Sequence, residues 1–178
     1  MITSPPYPNH RDFSTIFAPE NAFLTSPIAS KQWSCARPKA PIIGSNFISG
    51  SPESRVDIKC VISFLERAAS LARSSQARYD DDKYYFPYFS SYFAGLGAAY
   101  ANVAKSLAAS FEGYIIVVDN THRGLVVPVS AAIVELWQTL GFKAEIVESI
   151  EAFHVGTKNP RARGPRARHT GYLVRLIR

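Results

Sequence analysis

Two stretches of the chain repeat apolar residues at the spacing of an amphipathic helix. The first is introduced by Ser51-Pro52-Glu53, which reads as an N-cap, a proline at the first helical position and an acidic first-turn residue. Its stripe consists of Val56, Cys60, Phe64, Leu65, Ala68, Leu71 and Ala72. The second stripe consists of Tyr85, Tyr88, Phe89, Tyr92, Phe93, Leu96, Tyr100, Val103 and Leu107. The spacing predicts a helix over roughly 52–76 and a second, aromatic helix, both packing these side chains into a core.

The second half of the chain carries the pattern of strands. The run from Glu112 to Asn120 is nearly all apolar, which is typical of a strand covered on both faces in an α/β sheet. Lys143–Phe153 and His169–Ile177 are predicted to be an antiparallel pair. Between the apolar strand and Lys143, a helix opened by Pro128 is predicted. It carries Ile133, Val134, Trp137 and Leu140, and Gly141 ends it with Phe142 folding back.

The sequence therefore predicts an α/β fold, and the end of its apolar strand is a candidate ligand site. A loop over Thr121–Gly124 is predicted to follow that strand. Open α/β sheets bind their ligands at the carboxyl ends of strands. Asp119, Asn120 and His122 are thus candidate site residues rather than ordinary turn residues.

Composition indicates a globular protein. A length of 178 residues predicts one domain, and 47% apolar residues are enough for a core. No apolar run has the length of a membrane span and no signal peptide opens the chain, so we expect a soluble, cytoplasmic protein. Cys35 and Cys60 form neither a disulfide framework nor a metal-binding pair, and Cys60 is predicted to be a buried thiol.

The positive charge is concentrated near one end of the chain. The net charge is +6, yet residues 154–178 contain seven basic and no acidic residues, which leaves thirteen basic and fourteen acidic residues elsewhere. We expect residues 154–169 to form a basic loop between the last two strands. A local positive cluster on a near-neutral body is typical of a protein that binds a polyanion, most simply nucleic acid.

Some stretches leave more than one interpretation. Pro8, Pro19, Pro27, Pro38 and Pro41 predict mostly irregular structure up to Phe47. Trp33 and Phe47 either insert into DNA or cover the core, and the core is favoured. Asp80-Asp81-Asp82 is either a metal site or a solvated helix cap; consecutive side chains point in different directions, which favours the cap.

The first dozen residues combine a serine, prolines and a tyrosine in Ile2-Thr3-Ser4-Pro5-Pro6-Tyr7-Pro8-Asn9. Prolines have no N–H and a fixed φ, so the segment is stiff and its carbonyls lack donors beside them. Acceptors next to an aromatic ring suit an enzyme that works on the exocyclic amine of a flipped nucleobase. The alternative is a frayed, proline-rich terminus.

This string resembles the catalytic motif of amino-methylating DNA methyltransferases (N4-cytosine or N6-adenine), in the version T-S-P-P-Y-P-N followed by Arg11 and Asp12. Downstream, a strand ending in asparagine, a G-x-x-V-P segment, a helix ending in L-G-F and two strands around a basic K-N loop are similar to the second half of that family. The resemblance covers residues 1–13 and 84–178. Residues 14–83 fit it poorly and are expected to include variable, DNA-contacting insertions. Asp119 stands where the family usually has glycine.

The resemblance implies a partial Rossmann-like fold that begins at the fourth strand of a seven-stranded sheet, with residues 1–3 as the end of that fourth strand. The family binds S-adenosylmethionine with a strand, a glycine-rich turn and an acidic ribose contact. The nearest glycines here, Gly95 and Gly97, fall in the aromatic helix instead. We therefore expect a partner: a second polypeptide that carries the cofactor half and completes the sheet.

The resemblance also implies roles for individual residues. Ser4, Pro5, Pro6 and Tyr7 are the catalytic motif: Tyr7 stacks on the base, while Ser4 and the Pro5 carbonyl hold its amine for direct methyl transfer. Minor cofactor contacts fall to Thr3 and Asn120. DNA contacts are expected from Arg11, Lys158, Asn159, Arg161, Arg163, Arg166 and Arg168.

Two other functions stay open. One is a non-catalytic DNA-binding or assembly subunit that kept the methyltransferase scaffold, although the intact Ser4-Pro5-Pro6-Tyr7 favours a catalytic one. The other is half of a methyltransferase acting on RNA or a small amine, of which the basic loop favours a nucleic acid over a small amine. The target base, the recognition sequence and the presence of a restriction nuclease cannot be read from the chain.

Overall fold

The chain folds as an α/β protein with a four-stranded mixed sheet. The computed structural model describes residues 1–6, 8, 43, 57–74, 85–122, 124–153 and 168–178. The elements in this part of the chain are β1 (Ile2–Thr3), α1 (Lys59–Ser74), α2 (Tyr85–Ser106), β2 (Glu112–Val118), β3 (Asn120–His122), β4 (Leu125–Val127), α3 (Val129–Thr139), β5 (Lys143–Phe153) and β6 (Arg168–Ile177). The predicted α/β class is confirmed at this level.

The main sheet has the strand order β1-β2-β6-β5. The short β1 is parallel to β2, with Ile2 opposite Tyr114. Strand β6 is antiparallel to both β2 and β5, so the predicted antiparallel pair is confirmed, and β6 begins one residue earlier than expected. A bulge in β5 lies between Ile146 and Glu148.

Helix α1 begins later than the sequence pattern predicts. Asp57 and Ile58 are described and are not helical, so a helix running from about residue 52 is wrong for this region. The carboxylate of Glu135 on α3 accepts the backbone N–H of Lys59 at 2.7 Å and that of Cys60 at 3.3 Å. This side chain caps the helix at Lys59 from a distant part of the chain. The expected cap Ser51-Pro52-Glu53 lies outside the described residues.

Helix α2 confirms most of the aromatic stripe, while Tyr85 and Leu107 at its two ends are only partly buried against the core. Tyr88, Phe89, Tyr92, Phe93, Leu96, Tyr100 and Ala104 are buried. Val103 was predicted in the core and is 38% exposed, because Ala104, one turn after Tyr100, occupies the buried position. A Cβ at Gly97 would lie 3.2 Å from Leu136, so this glycine allows α2 and α3 to pack closely.

Helix α3 has the predicted ends, whereas the loop predicted before it is partly a strand. Pro128 occupies the N-cap position, Gly141 has a φ of +83°, and Phe142 donates its N–H to Trp137 O at 3.1 Å. Strands β3 and β4 pair antiparallel, with Asn120 opposite Val127. Gly124, in a turn just before β4, has a φ of +79°. The predicted loop is therefore wrong at Thr121 and His122, which belong to β3.

The helices cover one face of the sheet. Ile115, Val117, Val174 and Leu176 point into the same core as the buried side chains of all three helices. Alternate strand residues point to the opposite face. We call this opposite side of the sheet the open face; its apolar residues, which lie outside the buried core, are Ile2, Ile116, Ile150 and Leu173. Ile2 is 74% exposed and Ile116 is 48% exposed. No described element covers this face.

Candidate functional site

Two strand ends meet at one edge of the sheet. Because β1 and β2 are parallel, the residues that follow each of them emerge at the same edge. The side-chain amide of Asn120, just past β2, lies 3.5 Å from the Pro8 carbonyl and donates to it. The structure thus brings the Ser4–Pro8 segment and the Asp119–His122 segment together.

The described motif residues alternate between surface and interior. Ser4 and Pro6 are exposed, Pro5 and Pro8 are buried, and Thr3 is half-buried at the end of β1. The Pro6 carbonyl accepts a hydrogen bond of 2.8 Å from the Tyr92 hydroxyl. The segment is therefore fixed to α2 just beyond the predicted base-holding residues. Tyr7 lies outside the described residues.

Tyr92 is a site residue that the pattern of apolar positions does not single out. Its position in the stripe predicts a core residue, and the side chain is indeed 2% exposed. The hydroxyl nevertheless reaches a backbone carbonyl 86 positions away. The residue type is the signal that could identify Tyr92 from the sequence, since a buried tyrosine in place of phenylalanine usually means that its hydroxyl has a hydrogen-bond partner.

Asp119 caps helix α3. Its carboxylate accepts the Ser130 backbone N–H at 2.7 Å and the Ser130 hydroxyl at 2.9 Å. The N-cap residue of this helix is Pro128, whose side chain has no acceptor, so Asp119 takes over that function from the end of β2. Burial raises the pKa of Asp119 above its ordinary value, and the bonds from Ser130 partly oppose the shift.

His122 packs into an aromatic group. Its ring centroid is 4.3 Å from that of Tyr85 and 5.3 Å from that of Phe89. Phe89 and Tyr92 are three positions apart on α2 and both are buried. The same helix face therefore contacts the β3–β4 pair and the proline segment.

Several predicted residues cannot be placed. The described residues do not include the predicted DNA contacts Arg11, Lys158, Asn159, Arg161, Arg163 and Arg166. They also do not include Trp33, Cys35, Phe47 and Asp80-Asp81-Asp82. Arg168 opens β6, and its side chain is not described. Within 14–83, helix α1 adds core residues such as Val61 and Phe64.

Cys60 is half-buried rather than buried as predicted. Burial raises the pKa of its thiol to about 12, and the nearby Glu135 carboxylate adds to the shift. The thiolate is the reactive form of cysteine, and a raised pKa disfavours this form near neutral pH.

The described part of the chain lacks the features of a complete cofactor site. Gly95 and Gly97 lie within α2, as predicted, so they do not form a turn after a strand.

No three His, Cys, Asp or Glu side chains among the described residues converge on a possible metal position. Across the same residues, no helix has the length and apolar character needed to cross a membrane.

Comparison with protein-family models, with curated proteins and with solved structures finds no match to this chain.

Proposed function

We propose that this chain is the base-binding half of an S-adenosylmethionine-dependent DNA methyltransferase. Its substrate would be the exocyclic amine of a flipped cytosine (N4) or adenine (N6). The observation that carries the proposal is the proline segment after β1, anchored at the ligand-binding edge of an α/β sheet by its Pro6 carbonyl. Ser4 is exposed beside this anchor, and in the proposal it would accept a hydrogen bond from the amine.

The task of the chain would be to hold the base. Ser4 and the Pro5 carbonyl would accept the two amine hydrogens, and Tyr7 would stack on the ring. The Pro6 carbonyl already accepts from Tyr92, so the anchor and the substrate would use different atoms. Such a site catalyses by orientation, since it carries no nucleophile of its own.

The cofactor would be bound mainly by a second polypeptide. The described residues provide no glycine-rich turn after a strand, so the present residues do not fit S-adenosylmethionine beyond minor contacts from Thr3 and Asn120. Within the described part of the chain, the main sheet has four strands, the number that a seven-stranded sheet has from its fourth strand onward. Among the described residues, β1 pairs on one side only. An unpaired edge next to the apolar open face supports the proposal that a second chain completes the sheet.

DNA would be held by the basic segment that contains Lys158, Asn159, Arg161, Arg163, Arg166 and Arg168, with Arg11 near the motif. Contacts of lysine and arginine with phosphates add affinity without sequence preference, and they weaken as salt rises.

The proposal is tested by methyl transfer. The chain is copurified with the product of an adjacent reading frame that carries a glycine-rich cofactor half, and transfer of tritiated methyl groups to DNA is measured. We expect activity from the pair and none from this chain alone. Ser4→Ala should lower kcat by about 10- to 100-fold, because a hydrogen bond to the reacting amine is lost. Tyr7→Ala should have a similar effect.

Ser110→Ala is the matched control, since Ser110 is an exposed serine before β2 and remote from the motif. Equal activity of the Ser4 and Ser110 variants would remove the motif from its assigned function. A pair that binds DNA but transfers no methyl groups would favour the non-catalytic DNA-binding or assembly subunit.

A further inference from the structure

The proline segment cannot hold its own backbone in place. Pro5, Pro6 and Pro8 have no N–H, so the segment offers carbonyl acceptors and few donors. A fixed orientation therefore depends on donors from elsewhere in the fold. A site that works by orientation is sensitive to such support, because a displacement of 1 Å can cost about 100-fold in rate.

One donor comes from the interior of α2. The Tyr92 hydroxyl donates to the Pro6 carbonyl at 2.8 Å. Its ring is almost fully buried and lies edge-on to Phe93, with a centroid distance of 4.9 Å. Packing of this kind holds the hydroxyl at one position, so the donor is part of a rigid element.

The second donor comes from the end of β2. The Asn120 amide lies 3.5 Å from the Pro8 carbonyl. Its neighbour Asp119 is bonded to Ser130 at the start of α3, which fixes the backbone from which Asn120 projects. The two anchored carbonyls belong to the residues on either side of Tyr7, so the backbone is held both before and after it.

We propose that Tyr92 and Asn120 are positioning residues that orient the Ser4–Tyr7 motif by holding the carbonyls of Pro6 and Pro8. Neither side chain touches the base. The inference rests on the proposed function for its effect on methyl transfer, while the anchoring itself can be measured without activity.

The anchoring is measured by NMR on the chain labelled with carbonyl-13C proline and 15N tyrosine. The sequence has two Pro-Tyr bonds, Pro6-Tyr7 and Pro87-Tyr88, so a carbonyl–amide correlation spectrum contains two signals. Tyr92→Phe should move the Pro6 carbonyl signal upfield, because its hydrogen bond is lost, and should leave the Pro87 signal in place. Labelling with 15N asparagine selects Pro8-Asn9 alone and reports on Asn120→Ala in the same way.

Tyr100→Phe is the matched control. Tyr100 is a second buried tyrosine of α2, 8% exposed, and its hydroxyl has no hydrogen-bond partner within the described structure. Removing this hydroxyl should leave both Pro-Tyr signals and the rate of methyl transfer unchanged.

In the active pair, Tyr92→Phe should lower kcat by about 10- to 100-fold with the KM for DNA unchanged, because none of the residues proposed to contact phosphates belongs to α2. An unmoved Pro6 signal would overturn the proposal. So would a moved signal with a kcat equal to that of Tyr100→Phe. If the unmodified pair transfers no methyl groups, the proposed function and the catalytic effect fail together, while the Pro6 signal still decides whether Tyr92 anchors the segment.

Discussion

At the scale of single residues, the carboxylate of Asp119 joins the end of β2 to the start of α3. It is partly removed from water, and this burial raises its pKa above the ordinary value of 3.8. A raised folded-state pKa means that the folded protein binds the proton more tightly than the unfolded chain does. The associated stability is present below about pH 4 and is lost as pH rises through the raised pKa.

Replacement of Asp119 by asparagine removes this loss. The amide oxygen can still accept the Ser130 N–H, and the amide N–H2 can donate to the Ser130 hydroxyl. The free energy of unfolding of Asp119→Asn minus that of the original protein should therefore increase from pH 3 to pH 7. Urea denaturation at several pH values measures this difference. Asp119→Ala should be less stable by about 1 kcal/mol through loss of the cap. A difference for Asp119→Asn that stays flat or falls with pH would contradict the shift.

The same residues show the limit of reading single positions from sequence. The pattern located Asp119 and Asn120 at a strand end and Tyr92 in a buried stripe, and these placements agree with the structure. It could not indicate that Asp119 bonds to Ser130 or that Tyr92 bonds to Pro6. Those partners are distant in sequence, and only the packing of α2 and α3 against the sheet brings them into contact.

At the scale of elements, the start of α1 depends on another helix. Glu135 on α3 accepts the first two N–H groups of α1, at Lys59 and Cys60. Glu135→Ala should lower the free energy of unfolding by about 1 kcal/mol, because these N–H groups lose their acceptor. Glu135→Gln keeps one acceptor oxygen, so its free energy of unfolding should lie between those of the original protein and of Glu135→Ala. Chemical denaturation measures both changes.

Glu145→Ala is a suitable comparison, since Glu145 forms an exposed ion pair with Lys143 at 3.6 Å. Its loss should change stability by less than about 0.5 kcal/mol. An equal effect of the Glu135 and Glu145 substitutions would show that Glu135 does not cap α1.

Elements with a strong periodic pattern were predictable, and those fixed by distant contacts were not. The strand predicted over Lys143–Phe153 is β5, and the glycine at 141 ends α3 as predicted. The start of α1 was misplaced because its cap comes from Glu135. The β3–β4 pair was missed because each strand has only three residues, too few for a pattern to register.

At the scale of the whole molecule, the helices leave the open face of the sheet uncovered within the described structure. If a second polypeptide completes the sheet beside β1, it would also cover Ile116 on the adjacent strand. A lysine at this position would then place a charge in the interface, which is unfavourable unless it is paired. In the chain alone the site is half-exposed, so Ile116→Lys should cost no more than the difference in strand propensity, about 1 kcal/mol.

We therefore expect Ile116→Lys to weaken binding to the cofactor half by at least about 10-fold, the ratio that corresponds to 1.4 kcal/mol. Titration calorimetry with the separately purified partner gives the dissociation constant, and thermal unfolding of the variant alone verifies that it is folded. Val103→Lys is the matched control, because Val103 is similarly exposed but lies on α2. Equal dissociation constants for the two variants would show that the partner does not cover this face, and the completed sheet would then have to be extended through the edge of β1 alone.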